Sequence, residues 1–184
     1  ALISHLEAAL RVRAADAQAS QGPSHQDASG TVNPSRDMKL ELSRGALEGL
    51  LGLEPVRCLA EAASDTLESL VRKAPSLTSA ASRARLCFKL RRRAAVAGSE
   101  TDVIPFHCDA SLVVVNVALN DNFVGAKLLF ATEHGRMEAP SRSAGDATAH
   151  DCTVVHGVTR LASGVRYNLY AIYEEVPLGS AAAA

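Results

Sequence analysis

The sequence has no tryptophan, and aromatic residues make up only 4% of its 184 positions. A core built mainly on large rings is excluded, so Leu, Val, Ile and Ala must supply the buried surface. Cysteine is scarce as well. Cys58, Cys87, Cys108 and Cys152 lie far apart with no CxxC pair, which rules out a small disulfide framework. Their pattern gives a weak preference for a reducing compartment, cytoplasm or nucleus. No run of about 18 apolar residues occurs, so no membrane-spanning segment is expected. Neither charge sign dominates: Lys+Arg 19 against Asp+Glu 20 leaves a net charge of −1. No global field therefore draws nucleic acid or an anionic membrane to the surface, and only a local basic patch could do so.

What is present suits one domain. The length allows a sizeable core, and the hydrophobic fraction of 47% is ordinary for a globular chain. The chain starts at Ala1 rather than Met. A processed or trimmed form is expected, and the lack of a targeting segment says little. Gly179-Ser180 and the four alanines after it (residues 179–184) are read as an appended tail.

Leu2, Leu6 and Leu10 recur every four residues, the spacing of one helix face. Residues 20–37 are rich in Ser, Gly, Gln and Pro and predict a long flexible loop. Leu47, Leu50 and Leu51 predict a short helix ended by Pro55. Leu59, Ala63, Leu67, Leu70 and Val71 predict a second, closed by Pro75. Helical support over residues 1–75 follows from this.

After Arg83 the period changes. Leu86, Phe88 and Leu90 alternate with Cys87, Lys89 and Arg91, and residues 111–119 form a β-branched run. Further strands are expected at 127–131, 135–139, 147–150, 153–158 and 165–173. Turn residues Asn120-Asp121, Gly125, Gly145 and Ser163-Gly164 fall between them. Helices followed by many short strands predict an α+β fold with a sandwich or jelly-roll β part over residues 84–175.

The chemistry centres on His107-Cys108-Asp109. On an extended backbone the residues flanking Cys108 point to one side, so an imidazole and a carboxylate can reach one ion. His156, 47 residues past Asp109, is the best third ligand. Two histidines and a carboxylate on one face of an octahedral ion suit non-haem iron(II) oxygen chemistry. His150 is the rival third ligand, at a poorer spacing from Arg166.

Arg166 follows His156 by ten residues. A short turn at 161–164 is expected to return its strand beside that of His156. Its planar fork suits the far carboxylate of a keto acid. Asn168, two residues on, could donate a second hydrogen bond there. Cys108 should point away from the ion. Arg91-Arg92-Arg93 reads first as a solvated face, and second as a surface for an acidic or nucleic-acid substrate. His134 and Glu133 fall in an expected turn, and His5 and His25 lie outside the β region.

Residues 86–173 resemble the iron(II)/2-oxoglutarate-dependent dioxygenase superfamily, in particular its prolyl 4-hydroxylase-like branch. The matching motifs are His107-Cys108-Asp109, Phe123-Val124-Gly125-Ala126-Lys127-Leu128, His156-Gly157-Val158 and Gly164-Val165-Arg166-Tyr167-Asn168-Leu169. The resemblance implies a double-stranded β-helix (jelly roll, cupin-like) with the N-terminal helices packed on one sheet. It implies Fe(II) held by His107, Asp109 and His156, and 2-oxoglutarate anchored by Arg166. Asn116 corresponds to a polar cofactor-binding position on the strand after the HxD motif.

The implied reaction consumes O2 and 2-oxoglutarate, with ascorbate as an optional reductant. It releases succinate and carbon dioxide while hydroxylating an aliphatic carbon such as a peptidyl proline. A peptide or small molecule is the expected substrate. Gly125-Ala126 replaces a glycine pair usual in the family, Arg166 stands where collagen-type enzymes carry Lys, and residues 94–104 offer no counterpart to a tyrosine common before HxD. The superfamily is thus better supported than prolyl specificity.

Two alternatives remain. An AlkB-like nucleic-acid demethylase carries a second arginine six residues past the first, where this chain has Ile172. A non-catalytic cupin-like metal- or ligand-binding domain would not need Arg166. Halogenases of the superfamily lack the carboxylate that Asp109 provides. Substrate and oligomeric state are open at this stage.

Overall fold

The computed structural model describes residues 2–4, 7–8, 37–95, 103–132 and 135–176. The expected flexible loop at 20–37, except Asp37, which opens a strand, most of the 94–104 segment and the tail at 179–184 lie outside them. So do His5, His25, Glu133, His134, Leu6 and Leu10. Residues 2–4 and 7–8 are helical.

Strand β1 (Asp37–Leu42) precedes helices α1 (Arg44–Leu51) and α2 (Leu53–Lys73), a 3-10 turn and the short helix α3 (Thr78–Ser82). Ser43 caps α1, its Oγ accepting from the Ala46 N–H at 3.2 Å. The chain leaves α1 at Gly52, in the left-handed region at φ 84°. Pro55 therefore does not end this helix, as its position suggested. It sits in the first turn of α2, where a missing N–H costs nothing. In α2, buried Val56, Ala63 and Leu70 are spaced by seven and form one stripe. Arg72 and Lys73 complement the dipole of its last turn.

Ten further strands follow: β2 (Ala84–Ala94), β3 (Ile104–His107), β4 (Val113–Ala118), β5 (Val124–Gly125), β6 (Leu128–Ala131), β7 (Met137–Glu138), β8 (Ala147–Asp151), β9 (His156–Val158), β10 (Leu161–Ser163) and β11 (Val165–Glu175). Their pairing is antiparallel throughout. A five-stranded sheet runs β1-β2-β11-β4-β8, a four-stranded sheet runs β3-β9-β6-β7, and β10 pairs with β5. Strand β11 joins β2 and β4 rather than lying beside β9, as the short connection had suggested. Residues 161–163 are strand, not turn, and the reversal falls on Gly164 alone, at φ 87°.

The period-2 rule divides the large sheet cleanly. Phe88, Leu90, Val113, Val115, Leu169 and Ala171 pack with Leu47, Val56, Ala63 and Leu70 in one core, so the helices cover this face. Each such large side chain contributes roughly 1.5–3 kcal/mol by leaving water. The opposite face carries Lys89, Arg91, Asn116, His150 and Arg166 and lines a cavity. This is a mixed helix and antiparallel-sheet fold, with the helices on one face of one sheet. No helix among the described residues is long and apolar enough to cross a membrane.

The β5–β10 ribbon rests on Gly125, at φ 85°. A Cβ there would lie 2.1 Å from the Arg160 carbonyl oxygen. Gly125→Ala is expected to lower stability by at least about 2 kcal/mol, read as an earlier midpoint in urea unfolding. Ala126, standing where a second glycine is usual, adopts φ 48°. It accepts the left-handed conformation at a cost of about 1–2 kcal/mol. Its N–H donates to the Arg160 carbonyl at 2.8 Å, which holds the turn in place.

Candidate metal centre

His107 ends β3, and the chain leaves the strand before Asp109. Strand β3 pairs with β9 in a bulged register: Ile104 faces Val158 and His107 faces His156, three steps on one strand against two on the other. The extra residue re-aims the end of β3 toward β9. Gly157 makes the approach feasible, because a Cβ there would come within 3.0 Å of the Ile104 carbonyl oxygen. The result brings the His107 and His156 rings to a centroid distance of 4.5 Å.

One ligand atom from each of His107, Asp109 and His156 lies within 4.8 Å of the others. His107 Nε2 is 3.5 Å from Asp109 Oδ1, and His156 Nε2 is 3.6 Å from Asp109 Oδ2. Ligands about 2.1 Å from one ion at right angles are ~3 Å apart, so a cation needs only a small inward adjustment.

The second ring nitrogens decide the chemistry. His107 Nδ1 lies 2.8 Å from the Pro105 carbonyl oxygen, and His156 Nδ1 lies 3.2 Å from that of Val154. A carbonyl only accepts, so Nδ1 carries the proton in both rings. In the neutral rings each Nε2 then presents a lone pair toward the Asp109 carboxylate. Three electron-rich atoms converging on one point fit a divalent cation and little else. Burial lowers the His156 pKa, and the neighbouring His150 and His107 lower it further, against the Val154 hydrogen bond and Asp109. Burial pushes the Asp109 carboxyl up, but the His150 hydrogen bond and the charges of His156, His150 and His107 outweigh it. Asp109 is held below the usual carboxylate range. Neutral imidazole and ionised carboxylate are the forms that bind metal.

The three residues open onto a cavity of about 370 Å³ that also holds Arg166, Asn116, Tyr170 and His150. Apolar Ile104, Val114, Leu128, Val158 and Ile172 line the rest. Ile172 occupies the wall position at which an AlkB-like pattern would place its second arginine. Arg166 is 7% exposed. Burial disfavours its charge most strongly. Tyr170 favours the charge, while Arg142, Arg91 and Arg93 oppose it, and the pKa falls below the ordinary arginine value. No carboxylate appears among these neighbours. A buried guanidinium with no acidic partner among the described residues, lining a cavity, is suited to an anionic ligand.

Asn116 lines the cavity, as its expected role requires, but Asn168 does not. The Asn168 amide donates to Asn116 Oδ1 at 2.7 Å and to the Val117 carbonyl oxygen at 3.3 Å. Both its hydrogens are engaged, so Asn168 orients Asn116 instead of reaching a ligand itself. The basic run is not a solvated face. Arg91 lines the cavity and pairs with Asp37, Arg92 donates to Glu7 at 2.9 Å, and Arg93 is buried. Cys108 is exposed, with its Sγ 3.9 Å from the Thr153 carbonyl oxygen, and does not line the cavity.

Two residues missed in the sequence bear on this end of the cavity, Tyr170 as part of its lining and Arg142 through its contact with Asn116. Tyr170 is four residues past Arg166 on the same strand face, so the period-2 rule could have found it. Arg142, on the connection between β7 and β8, donates to the Asn116 carbonyl oxygen at 2.5 Å and to that of Asp146 at 3.2 Å. Nothing in the sequence spacing signals it.

No family pattern matches this sequence, and no curated protein matches it. Solved structures do. A prolyl-4-hydroxylase from Pseudomonas putida is 18% identical, with 96% of this chain and 87% of that chain covered at a TM-score of 0.54. The dioxygenase for auxin oxidation 1 from Arabidopsis thaliana, in its 2-oxoglutarate complex, is 15% identical. It covers 84% of this chain and 68% of its own, at a TM-score of 0.56. An oxidoreductase of the 2OG-Fe(II) oxygenase family from Burkholderia pseudomallei matches at 15% identity and a TM-score of 0.42. Half of this chain, 50%, is covered, and this chain spans 43% of that protein. The resemblance drawn from the four motifs is met at the level of architecture: this chain has the helix-and-antiparallel-sheet fold of the Pseudomonas prolyl-4-hydroxylase and the Arabidopsis dioxygenase.

Proposed function

We propose that the chain is the single catalytic domain of an Fe(II)- and 2-oxoglutarate-dependent oxygenase. In this reading its two larger sheets form a double-stranded β-helix. The strand order supports it, because β2, β4, β8 and β11 fall in one sheet and β3, β6, β7 and β9 in the other. The chain thus crosses repeatedly between two sheets around one cavity.

The observation that carries the proposal is the convergence of His107 Nε2, His156 Nε2 and the Asp109 carboxylate in a cavity that also contains a buried Arg166. His107, Asp109 and His156 would hold the iron, the Nδ1–H tautomers of the two histidines being set by the Pro105 and Val154 carbonyl groups so that each Nε2 is free to bind. Bound iron supplies the oxygen chemistry, coupled to decarboxylation of the keto acid to succinate. Arg166 grips the far carboxylate of 2-oxoglutarate through its planar fork. Asn116 adds a polar contact from the neighbouring strand β4 and is itself oriented by Asn168. The apolar wall of Val114, Leu128, Val158 and Ile172 limits water at the reacting carbon. The substrate is an aliphatic carbon on a peptide or small molecule, and peptidyl proline is the first class to test.

Succinate release is measured with iron and 2-oxoglutarate against proline-rich peptides, free amino acids and methylated oligonucleotides. Stimulation by the peptides is expected. Stimulation by oligonucleotides alone would favour the demethylase reading, and no succinate under any condition would end the enzymatic one.

A further inference from the structure

His150 resembles the other two histidines in placement but differs in its hydrogen bonds. It sits on β8, in register with Val114 of β4, and its side chain is 4% exposed. Its ring lies 4.4 Å from that of His156 and 5.6 Å from the Phe130 ring, between centroids. Neither ring nitrogen reaches a backbone carbonyl. Nδ1 is buried with no hydrogen-bond partner, and Nε2 lies 3.0 Å from Asp109 Oδ2.

The tautomer logic therefore runs opposite to that of His107 and His156. An ionised carboxylate accepts and does not donate, so His150 carries its proton on Nε2 and donates it in a hydrogen bond to Asp109. The Nε2 lone pair that a metal ligand needs is not available on this ring. His150 also stands outside the group of atoms within 4.8 Å of one another formed by His107, Asp109 and His156.

Asp109 needs such a partner. It follows the end of β3 in irregular chain, where no sheet ladder fixes its direction. Among the described residues, the His150 contact is the one hydrogen bond its carboxylate receives. A carboxylate free to rotate can take both oxygens to an ion, or neither. One whose Oδ2 is occupied by a donor on a rigid strand offers Oδ1.

We propose that His150 is a positioning residue. It donates from Nε2 to Asp109 Oδ2, fixes the carboxylate rotamer, and confines Asp109 to coordination through a single oxygen. This rests on the metal-site reading above, and it assigns His150 a role distinct from the ligand role that spacing alone allowed it.

The test is Mn(II) binding to the full-length protein, by calorimetry, for wild type, His150→Gln and His150→Phe. The glutamine amide places a donor near the Nε2 position, while phenylalanine fills the space without one. His150→Phe is expected to weaken Mn(II) binding ten- to a hundred-fold, in the range of other outer-shell partners. His150→Gln should remain within about threefold of wild type. Thermal melting of the metal-free variants checks folding, and only variants that melt like wild type are compared. In the folded variants the visible spectrum of bound Co(II) reads coordination: His150→Gln should keep the wild-type bands, and His150→Phe should shift them. Wild-type affinity in His150→Phe would overturn the positioning role. Equal losses in both variants, with a changed Co(II) spectrum in each, would make His150 a ligand and overturn it too. A wild-type protein that binds no Mn(II) would instead remove the metal site itself.

Discussion

His107→Ala and Asp109→Ala are each expected to bring iron- and 2-oxoglutarate-dependent succinate formation to background. Each substitution removes one of three atoms that converge within 4.8 Å. Outer-shell partners of a metal typically contribute ten- to a hundred-fold in affinity, so loss of a direct ligand should exceed ~100-fold. The two substitutions should differ in their side effects. His107 is substantially exposed at the edge of the cavity, with 41% of its side chain accessible. Its removal leaves little unsatisfied. Removing Asp109 strips His150 of its hydrogen-bond acceptor and leaves three imidazoles facing one another. Thermal melting of the metal-free Asp109→Ala variant should therefore depart further from wild type than that of His107→Ala.

The second large effect concerns Arg166. Arg166→Gln should weaken 2-oxoglutarate binding by roughly 30- to 4,000-fold, since breaking a buried charged hydrogen bond costs about 2–5 kcal/mol. Mn(II) affinity without the keto acid should be unchanged, because Arg166 touches no proposed ligand. Arg166→Lys should recover part of the loss. It restores the charge but not the two-pronged geometry. Arg91 will not substitute for it, since Asp37 already pairs with that guanidinium and holds its pKa above the ordinary arginine value, against the effect of burial. Keto-acid affinity measured with and without metal separates these effects.

Much of this site could be read from spacing alone. His107 and Asp109, two residues apart, reach the same point even though the chain leaves the strand before Asp109. His156, Asn116 and Arg166 lie on strands whose β-branched or alternating pattern was evident. The large sheet followed the same rule, with Phe88 and Leu90 turned to the helices and Lys89 and Arg91 turned inward.

What escaped notice depended on contacts between distant segments. Strand β1 was overlooked because residues 20–37 set a loop-like context, although Met38, Leu40 and Leu42 alternate with Lys39 and Glu41. Its partner β2 lies far along the chain, and propensity carries no trace of that pairing. The bulge in β3 arises from register against β9, which one strand's sequence does not encode. Arg91, Arg92 and Arg93 read as solvated because charge runs usually are. Arg91 turns inward because Asp37 and the cavity receive it, and Arg92 is received by Glu7. Asn168 shows the complementary limit: alternation placed it on the cavity face, but Asn116 claims its amide. The different role of His150 was invisible for a related reason, since tautomers follow from partners rather than from spacing.

The account turns on whether a keto acid and a metal occupy this cavity together. Calorimetric titration of 2-oxoglutarate into the protein, with and without Mn(II) under anaerobic conditions, tests this directly. Binding that requires the metal, saturates at one equivalent and weakens at least about 30-fold in Arg166→Gln is the predicted result. Binding of equal strength with and without the metal, or a metal-loaded protein that gives no heat with the keto acid, would contradict it.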